Sequence, residues 1–378
     1  MEGQSLWERT RTAGGEGLGE ASNRNRPNAT AADHFYSFPR QSFRPTISRF
    51  GYVCHTITFR PDSVTPPGHL TTNHCMRLLL ARLVANLGKR QAYNEWRWMN
   101  EAVASAPSEF SLPDMVNRRC LGEPLQYILG IRFHSILSAF PYICSPGTQP
   151  FGPLDLLVRR PVLIPRPETE HWVIRLSETI QASAQAPLSL LDIGTGSGCI
   201  PLLLCHLWPQ GSIHAQGIDI SPHAIRLAND NALLADIPPP SESGHNMKRK
   251  NTFSATLANF LAPTFPETVM ESKPPFNIVT SNPPYIAWKE LVELPRSVSE
   301  YEDPRALFGG SSGFEFYEAI ADFVGREGVV SADGIVALEV GRGQARVVEE
   351  LIRSTGRVRH TKIWKDPWGV ERTVIGRT

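Results

Sequence analysis

No run of about 18 apolar residues occurs in this 378-residue chain, which argues against a membrane-spanning helix. The nearest approach, Ile200 to Leu207, is far too short. An excess of one charge is also missing: 38 Lys and Arg stand against 37 Asp and Glu, a formal net charge of +1. Nothing global therefore advertises a polyanionic partner such as nucleic acid. Cysteine is sparse and unpaired in spacing. The six residues, Cys54, Cys75, Cys120, Cys144, Cys199 and Cys205, form no C-x-x-C element. That pattern argues against a zinc site or a disulfide framework and for a reduced, intracellular protein, so no metal is expected. What remains is ordinary: 41% hydrophobic and 20% charged residues suit a soluble globular chain of one or two domains.

The first 70 residues differ from the rest and read as a disordered or targeting segment. Between Ala21 and Arg60 there are six arginines, no lysine and one acid, Asp33. An Arg-rich, acid-poor, Ser/Thr-containing stretch suits a mitochondrial transit segment. Glu2, Glu8, Glu16 and Glu20, and the lack of an amphipathic helix at Met1, run against that reading and leave a plain tail as its alternative.

From Thr72 to about Ala106 the apolar residues recur at helical spacing, with Gly88 as a break, and a further short helix and turn continue through Gly122-Glu123-Pro124. Residues 71–130 are expected to form a small helical domain, and 131–165 a linker with a β-hairpin. From Glu168 strands and helices alternate: helix to about Ala182, strand "LSLLDIG", helix "CIPLLLCHLW", strand "IHAQGIDI" and helix "PHAIRLANDNALLA". The polar insert 236–251 reads as a surface loop. Strand "PFNIVTS", helix "GFEFYEAIADFV", strand "GIVALEVG" and helix "GQARVVEELIRS" complete the series. This rhythm predicts a parallel, doubly wound α/β sheet over 166–378. Two last strands around the "DPWG" corner form a hairpin, making the final strand antiparallel.

Two stretches carry chemistry. In "LLDIGTGSGC", Gly194, Gly196 and Gly198 turn a buried strand sharply into a helix, around Thr195. Such a loop serves a dinucleotide or S-adenosylmethionine. The spacing is G-x-G-x-G, not G-x-G-x-x-G. Asp192 before it would repel a pyrophosphate but can pair with the amino-acid end of S-adenosylmethionine. Asp219, ending the next strand, can accept both ribose hydroxyls. In "SNPPYI", Asn282 and Pro283 end a strand where such sheets bind ligands, and Pro284 and Tyr285 stiffen and wall the corner. A substrate NH₂ group fits there, one hydrogen on the Asn282 side-chain oxygen and one on the Pro283 carbonyl. Held so, a planar amide nitrogen is biased toward tetrahedral geometry with its lone pair aimed at a methyl sulfonium.

Taken together, "GEPLQYILG", "VLIPRPETE", "LLDIGTGSGCI", "SNPPYI", "YEDPRALFGGSSGFEFY" and "ALEVGRGQ" resemble the HemK/PrmC family of N5-glutamine methyltransferases, in the same order over about 120–378. The resemblance implies a Rossmann-like, seven-stranded S-adenosylmethionine-dependent methyltransferase domain behind a small N-terminal helical, substrate-binding domain. It implies S-adenosylmethionine as cofactor, contacted by Gly194 to Gly198, Asp219 and Asn282, and Asn282 to Tyr285 as the catalytic corner. The substrate would be the glutamine of the Gly-Gly-Gln loop of a class I peptide chain release factor, with Arg166 and Glu170 at the mouth. Three stretches depart from the family pattern. Residues 131–147 interrupt a usually continuous segment, as a true insertion or a retained non-coding one; the insert 236–251 is extra. Ala258-Asn259-Phe260 replaces an acid-aromatic pair, so Asn259 or backbone is expected at the adenine.

An adenine N6 methyltransferase on DNA or RNA uses a similar corner, but no basic stripe or large target-recognition segment accompanies it here. A non-catalytic protein keeping the fold is the third reading. The first is preferred, acting as a monomer without nucleic acid or membrane on a mitochondrial release factor; a cytoplasmic location is the alternative.

Overall fold

A computed structural model describes residues 72–129, 147–240, 250–265 and 275–378. All of them belong to one compact unit, Val64–Thr378. The expected leader (1–70), the interruption at 131–146 and the middle of the polar insert lie outside the described residues.

The helical module consists of α1 (Thr72–Leu87), α2 (Lys89–Ser105), α3 (Leu112–Cys120) and α4 (Leu125–Leu129). Gly88, at φ 77°, separates the first two as the sequence suggests. Their apolar faces meet in a core of Leu83, Ala92, Met99, Met115, Val116 and Ile128. A buried ion pair, Arg119 to Glu95 at 2.7 and 3.1 Å, crosses from α3 to α2. Helix α4 ties the module to the stretch before the sheet: the buried Tyr127 hydroxyl donates to the Val162 carbonyl at 2.6 Å.

The hairpin of the linker is shorter and earlier than "FGPLDLLVRRPVLIPRPETE" suggests. Its strands are β1 (Thr148–Phe151) and β2 (Leu154–Leu157), turning at Gly152-Pro153. Prolines 161, 165 and 167 keep the rest of the stretch irregular up to α5 (Pro167–Thr179).

The larger, C-terminal part is built on β3 (Leu188–Ile193), β4 (Ile213–Asp219), β5 (Thr252–Leu257), β6 (Phe276–Ser281), β7 (Val330–Glu339), β8 (His360–Lys365) and β9 (Glu371–Arg377). They form one sheet in the order β5-β4-β3-β6-β7-β9-β8. The first five run parallel, and β9 lies antiparallel between β7 and β8. A seven-stranded, doubly wound sheet with an antiparallel last strand is what the sequence predicts. Strand β5, missing from the series of strands predicted one by one, hides behind the polar insert. The end of that insert is not surface: Asn251 is buried and its side chain binds four backbone groups, the Ser212 and Ile213 amides and the Cys205 and Trp208 carbonyls.

Alternate residues of each strand serve opposite faces. Leu190 and Ile278 pack under α5, α6 (Cys199–Leu207) and α7 (Pro222–Leu234). Leu191, Ile193 and Val279 pack under the helices Glu315–Gly325 and Ala345–Ser354. The strand order reverses between β3 and β6, and sheets of this kind bind ligands outside the carboxyl ends of the strands at such a point.

Candidate active site

Strand register brings the site together. Ile193 pairs with Ile218 and with Ser281, and Ser281 pairs with Leu338. The next residue of each, Gly194, Asp219, Asn282 and Glu339, therefore stands at one level, Asp219 and Glu339 as the last residues of their strands and Gly194 and Asn282 just past theirs. Leu257 of β5 is opposite Asp219, so Ala258-Asn259-Phe260 begins there too.

Gly194, Gly196 and Gly198 all have positive φ, at 71°, 56° and 79°. A Cβ on Gly194 would meet nothing within 4 Å, so the loop faces open space. The Gly196 amide donates to Asp219 Oδ2 at 3.0 Å, and the Ser221 amide to Oδ1 at 2.8 Å. Asp219 is thus clamped between the loop and the start of α7, with further lone pairs on each oxygen. Burial raises its pKa, and those two backbone donors oppose the rise. Thr195 tucks its side chain against Gly217, where a Cβ would stand 2.5 Å from the Thr195 hydroxyl. The open glycine loop with an acid beside it fits a nucleoside bearing an amino-acid tail.

Asp192 is placed differently from expectation. It is wholly buried, accepts the Thr280 hydroxyl at 2.7 Å, and has no surface to offer a ligand. Thr195 is near enough to favour the carboxylate, yet neither Asp192 Oδ2 nor Thr195 Oγ1 completes a hydrogen bond. Burial, with a smaller push from the Asp219 charge, drives the Asp192 pKa up to about 7. Asn259 is exposed, and its side-chain oxygen caps the Leu261 amide.

The asparagine corner is built by three segments distant in sequence. The Asn282 Nδ2 group donates to Thr169 Oγ1 at 3.3 Å. The Thr169 hydroxyl donates to Glu339 Oε2 at 2.6 Å, and the Trp172 indole N–H donates to the same oxygen at 2.9 Å. Thr169, Trp172 and Glu339 are all buried. Burial raises the Glu339 pKa, and the Thr169 and Trp172 donors oppose the rise. Behind the corner, Gln344 holds the Tyr285 carbonyl at 3.0 Å, and the Ile286 amide donates to Leu307. Gly309 lies so close that a Cβ would stand 2.7 Å from the Pro284 carbonyl and 2.8 Å from Tyr285 Cα. Burial pushes the Tyr285 phenol up to about 12, so it stays neutral. Among the described residues, nothing donates to the Asn282 side-chain oxygen or to the Pro283 carbonyl.

Two expected mouth residues are committed elsewhere. Arg166 Nη2 contacts both oxygens of the buried Glu302, at 2.8 and 2.7 Å, because a buried carboxylate needs a cation. Glu170 lies toward the Gly152 amide of the β1–β2 hairpin, and burial raises its pKa. Thr169, Trp172, Glu339 and Gln344 carry no role in the sequence motifs taken alone. A carboxylate inside the apolar run "GIVALEVG" was the available signal for Glu339.

The comparisons with known proteins separate the two halves of this site. The family model described as ribosomal protein L11 methyltransferase (PrmA) matches residues 168–273, which include the glycine loop and Asp219 but stop before Asn282. The release factor glutamine methyltransferase of Koribacter versatilis is 30% identical over 277 residues, covering 73% of this chain and 82% of that protein. The chain belongs to the release factor glutamine methyltransferase family. The enzyme of that name from Geobacter sulfurreducens is 34% identical over 265 residues, 70% of this chain and 76% of its own. The solved protein-(glutamine-N5) methyltransferase of Alicyclobacillus acidocaldarius superposes with a TM-score of 0.34 at 22% identity, over 57% of this chain and 93% of that one. This chain is an S-adenosylmethionine-dependent protein methyltransferase, and Gly194 to Gly198 with Asp219 are the residues suited to hold that cofactor.

Proposed function

We propose that this enzyme methylates the side-chain amide nitrogen of the glutamine in the Gly-Gly-Gln loop of a class I release factor. One observation carries the reading: the Asn282 side-chain oxygen and the Pro283 carbonyl are acceptors on neighbouring residues that no described protein group uses. A primary amide has two N–H donors, and these two acceptors match them. When bound, S-adenosylmethionine supplies an electrophilic methyl group on a sulfonium.

The protein's own residues orient the acceptor. Asn282 and Pro283 take both amide hydrogens and turn the nitrogen out of conjugation, so its lone pair faces the glycine-loop side of the cleft. Such positioning contributes several kcal/mol to a group-transfer barrier. The stiff Pro283-Pro284 pair and the Gly309 contact resist drift of the acceptors. Tyr285, held through its carbonyl, walls the planar amide.

We further propose that the release factor is mitochondrial and that the enzyme acts on it as a monomer, without nucleic acid. The Arg-rich, acid-poor stretch 21–60 supports the first and the formal charge of +1 the last. The test is methyl transfer from labelled cofactor to a release factor, to its Gly-Gly-Ala variant and to oligonucleotides. Label on the Gly-Gly-Gln protein alone is expected; label on oligonucleotides but not the release factor would overturn the reading. A reporter fused to the first 70 residues should enter mitochondria, and a diffuse cytosolic signal would count against the location.

A further inference from the structure

We infer that Thr169 and Glu339 are positioning residues that fix which end of the Asn282 amide faces the substrate. The inference rests on the reading of Asn282 as the holder of the glutamine amide. An asparagine side chain turned by 180° occupies the same space but presents N–H donors where its oxygen had been. Facing a substrate NH₂, that orientation sets donor against donor. Something must therefore select one of two nearly isosteric states.

The selection comes from proton counting. A threonine hydroxyl has one proton. Here it is directed to Glu339 Oε2 at 2.6 Å, which also receives the Trp172 indole N–H at 2.9 Å. An ionised carboxylate only accepts, so the Thr169 proton stays on that side. Thr169 Oγ1 then has only lone pairs for Asn282, and the group 3.3 Å away must be Nδ2. Asn282 Oδ1 is left facing the cleft beside the Pro283 carbonyl. The chain is held on both sides: Trp172 and Thr169 share one face of α5, three residues apart, and the Glu339 carbonyl accepts the Tyr317 hydroxyl at 2.9 Å.

The same logic predicts what reverses it. In Glu339→Gln the carboxamide oxygen can take the place of Oε2 and accept both donors, so the relay is kept. In Glu339→Leu no acceptor remains, and the Thr169 proton turns toward Asn282, which turns its oxygen inward and its NH₂ outward. In Thr169→Val the acceptor for Nδ2 disappears while the shape is kept. Thr169→Ser retains the relay.

Two measurements test this on the full chain. The first is kcat and KM with a Gly-Gly-Gln release factor, beside cofactor affinity by calorimetry and a thermal melt. Glu339→Leu and Thr169→Val should lower kcat on the order of 100-fold, the scale of losing one polar contact at a reacting group. Cofactor affinity should hold within about threefold, and Thr169→Ser should recover most of kcat, as expected for an effect confined to Asn282. The second measurement needs no turnover. The Asn282 side-chain amide protons, assigned in NMR spectra by their loss in Asn282→Ala, should show contacts to Thr169 in the native protein and lose them in Glu339→Leu. Wild-type kcat in Glu339→Leu or Thr169→Val, no recovery in Thr169→Ser, or native Asn282 amide protons without contacts to Thr169 would each overturn the inference. A native enzyme that leaves the release factor unlabelled would instead count against the glutamine reading, and the NMR result would still decide the orientation.

Discussion

At the scale of single residues, the two halves of the site answer to different measurements. On the proposed reading Asn282 offers an acceptor to the reacting amide. Asn282→Ala should therefore reduce kcat by about 100-fold or more, with cofactor affinity unchanged by calorimetry. Asp219 has the opposite role. It holds the Gly196 and Ser221 amides, and its remaining lone pairs suit ribose hydroxyls. Asp219→Ala removes charge-assisted bonds worth about 1.5–3 kcal/mol each, so cofactor affinity should fall at least tenfold. Both residues could be named from sequence, because each ends or directly succeeds an apolar strand and has the donor or acceptor set its ligand needs. Thr169 could not. Its role depends on where α5 lies relative to β6 and β7, and no local pattern reports a contact between residues 113 positions apart.

At the scale of elements, the corner is held by close packing rather than by charge. The segment Ile286 to Gly313 wraps the corner, with backbone bonds from Ile286 to Leu307, from Gly309 to Ile286 and from Trp288 to Gly310. Gly309→Ala would place a methyl 2.7 Å from the Pro284 carbonyl, so the backbone must shift. A stability loss of about 1–3 kcal/mol is expected from urea unfolding, together with a fall in kcat, since Pro283 moves with Pro284. The hairpin β1–β2 and the strand β5 show where element reading stops. Strand β5 comes after an insert that hides its start, and the hairpin strands are four residues each, too short to establish a period. Arg166 is placed at the mouth by the family resemblance. Its partner, Glu302, lies 136 positions away, and only the fold shows that its charge is already answered.

At the scale of the molecule, buried acids make stability depend on pH. Asp192, on β3 in the middle of the sheet, has a pKa pushed up to about 7 by burial. Its unfolded value is about 3.9. Between those values the native state holds a proton that the unfolded chain has lost, so stability is full below about pH 4 and is lost as pH rises through 7. At about 1.4 kcal/mol per unit, the effect is several kcal/mol. Asp192→Asn keeps an acceptor for Thr280 and removes the titration. Melting temperatures measured from pH 5 to pH 8 should fall in the native protein and flatten in the variant. Glu315 has the opposite sign: the Ser312 amide and Ser311 hydroxyl are among the donors that lower its pKa to about 2, so its contribution is lost only as pH falls toward that value.

The sequence by itself determined the alternation of strands and helices, the glycine loop, Asp219 and the Asn282-Pro283 acceptors. These depend on neighbours in the chain: periodicity, a turn that only glycine enters, prolines that cannot donate. The tertiary structure decided that Asp192 faces inward, that Arg166 answers Glu302, and that Thr169 and Glu339 orient Asn282. Each of these is set by strand register and helix placement, which bring together side chains that no stretch of sequence holds side by side.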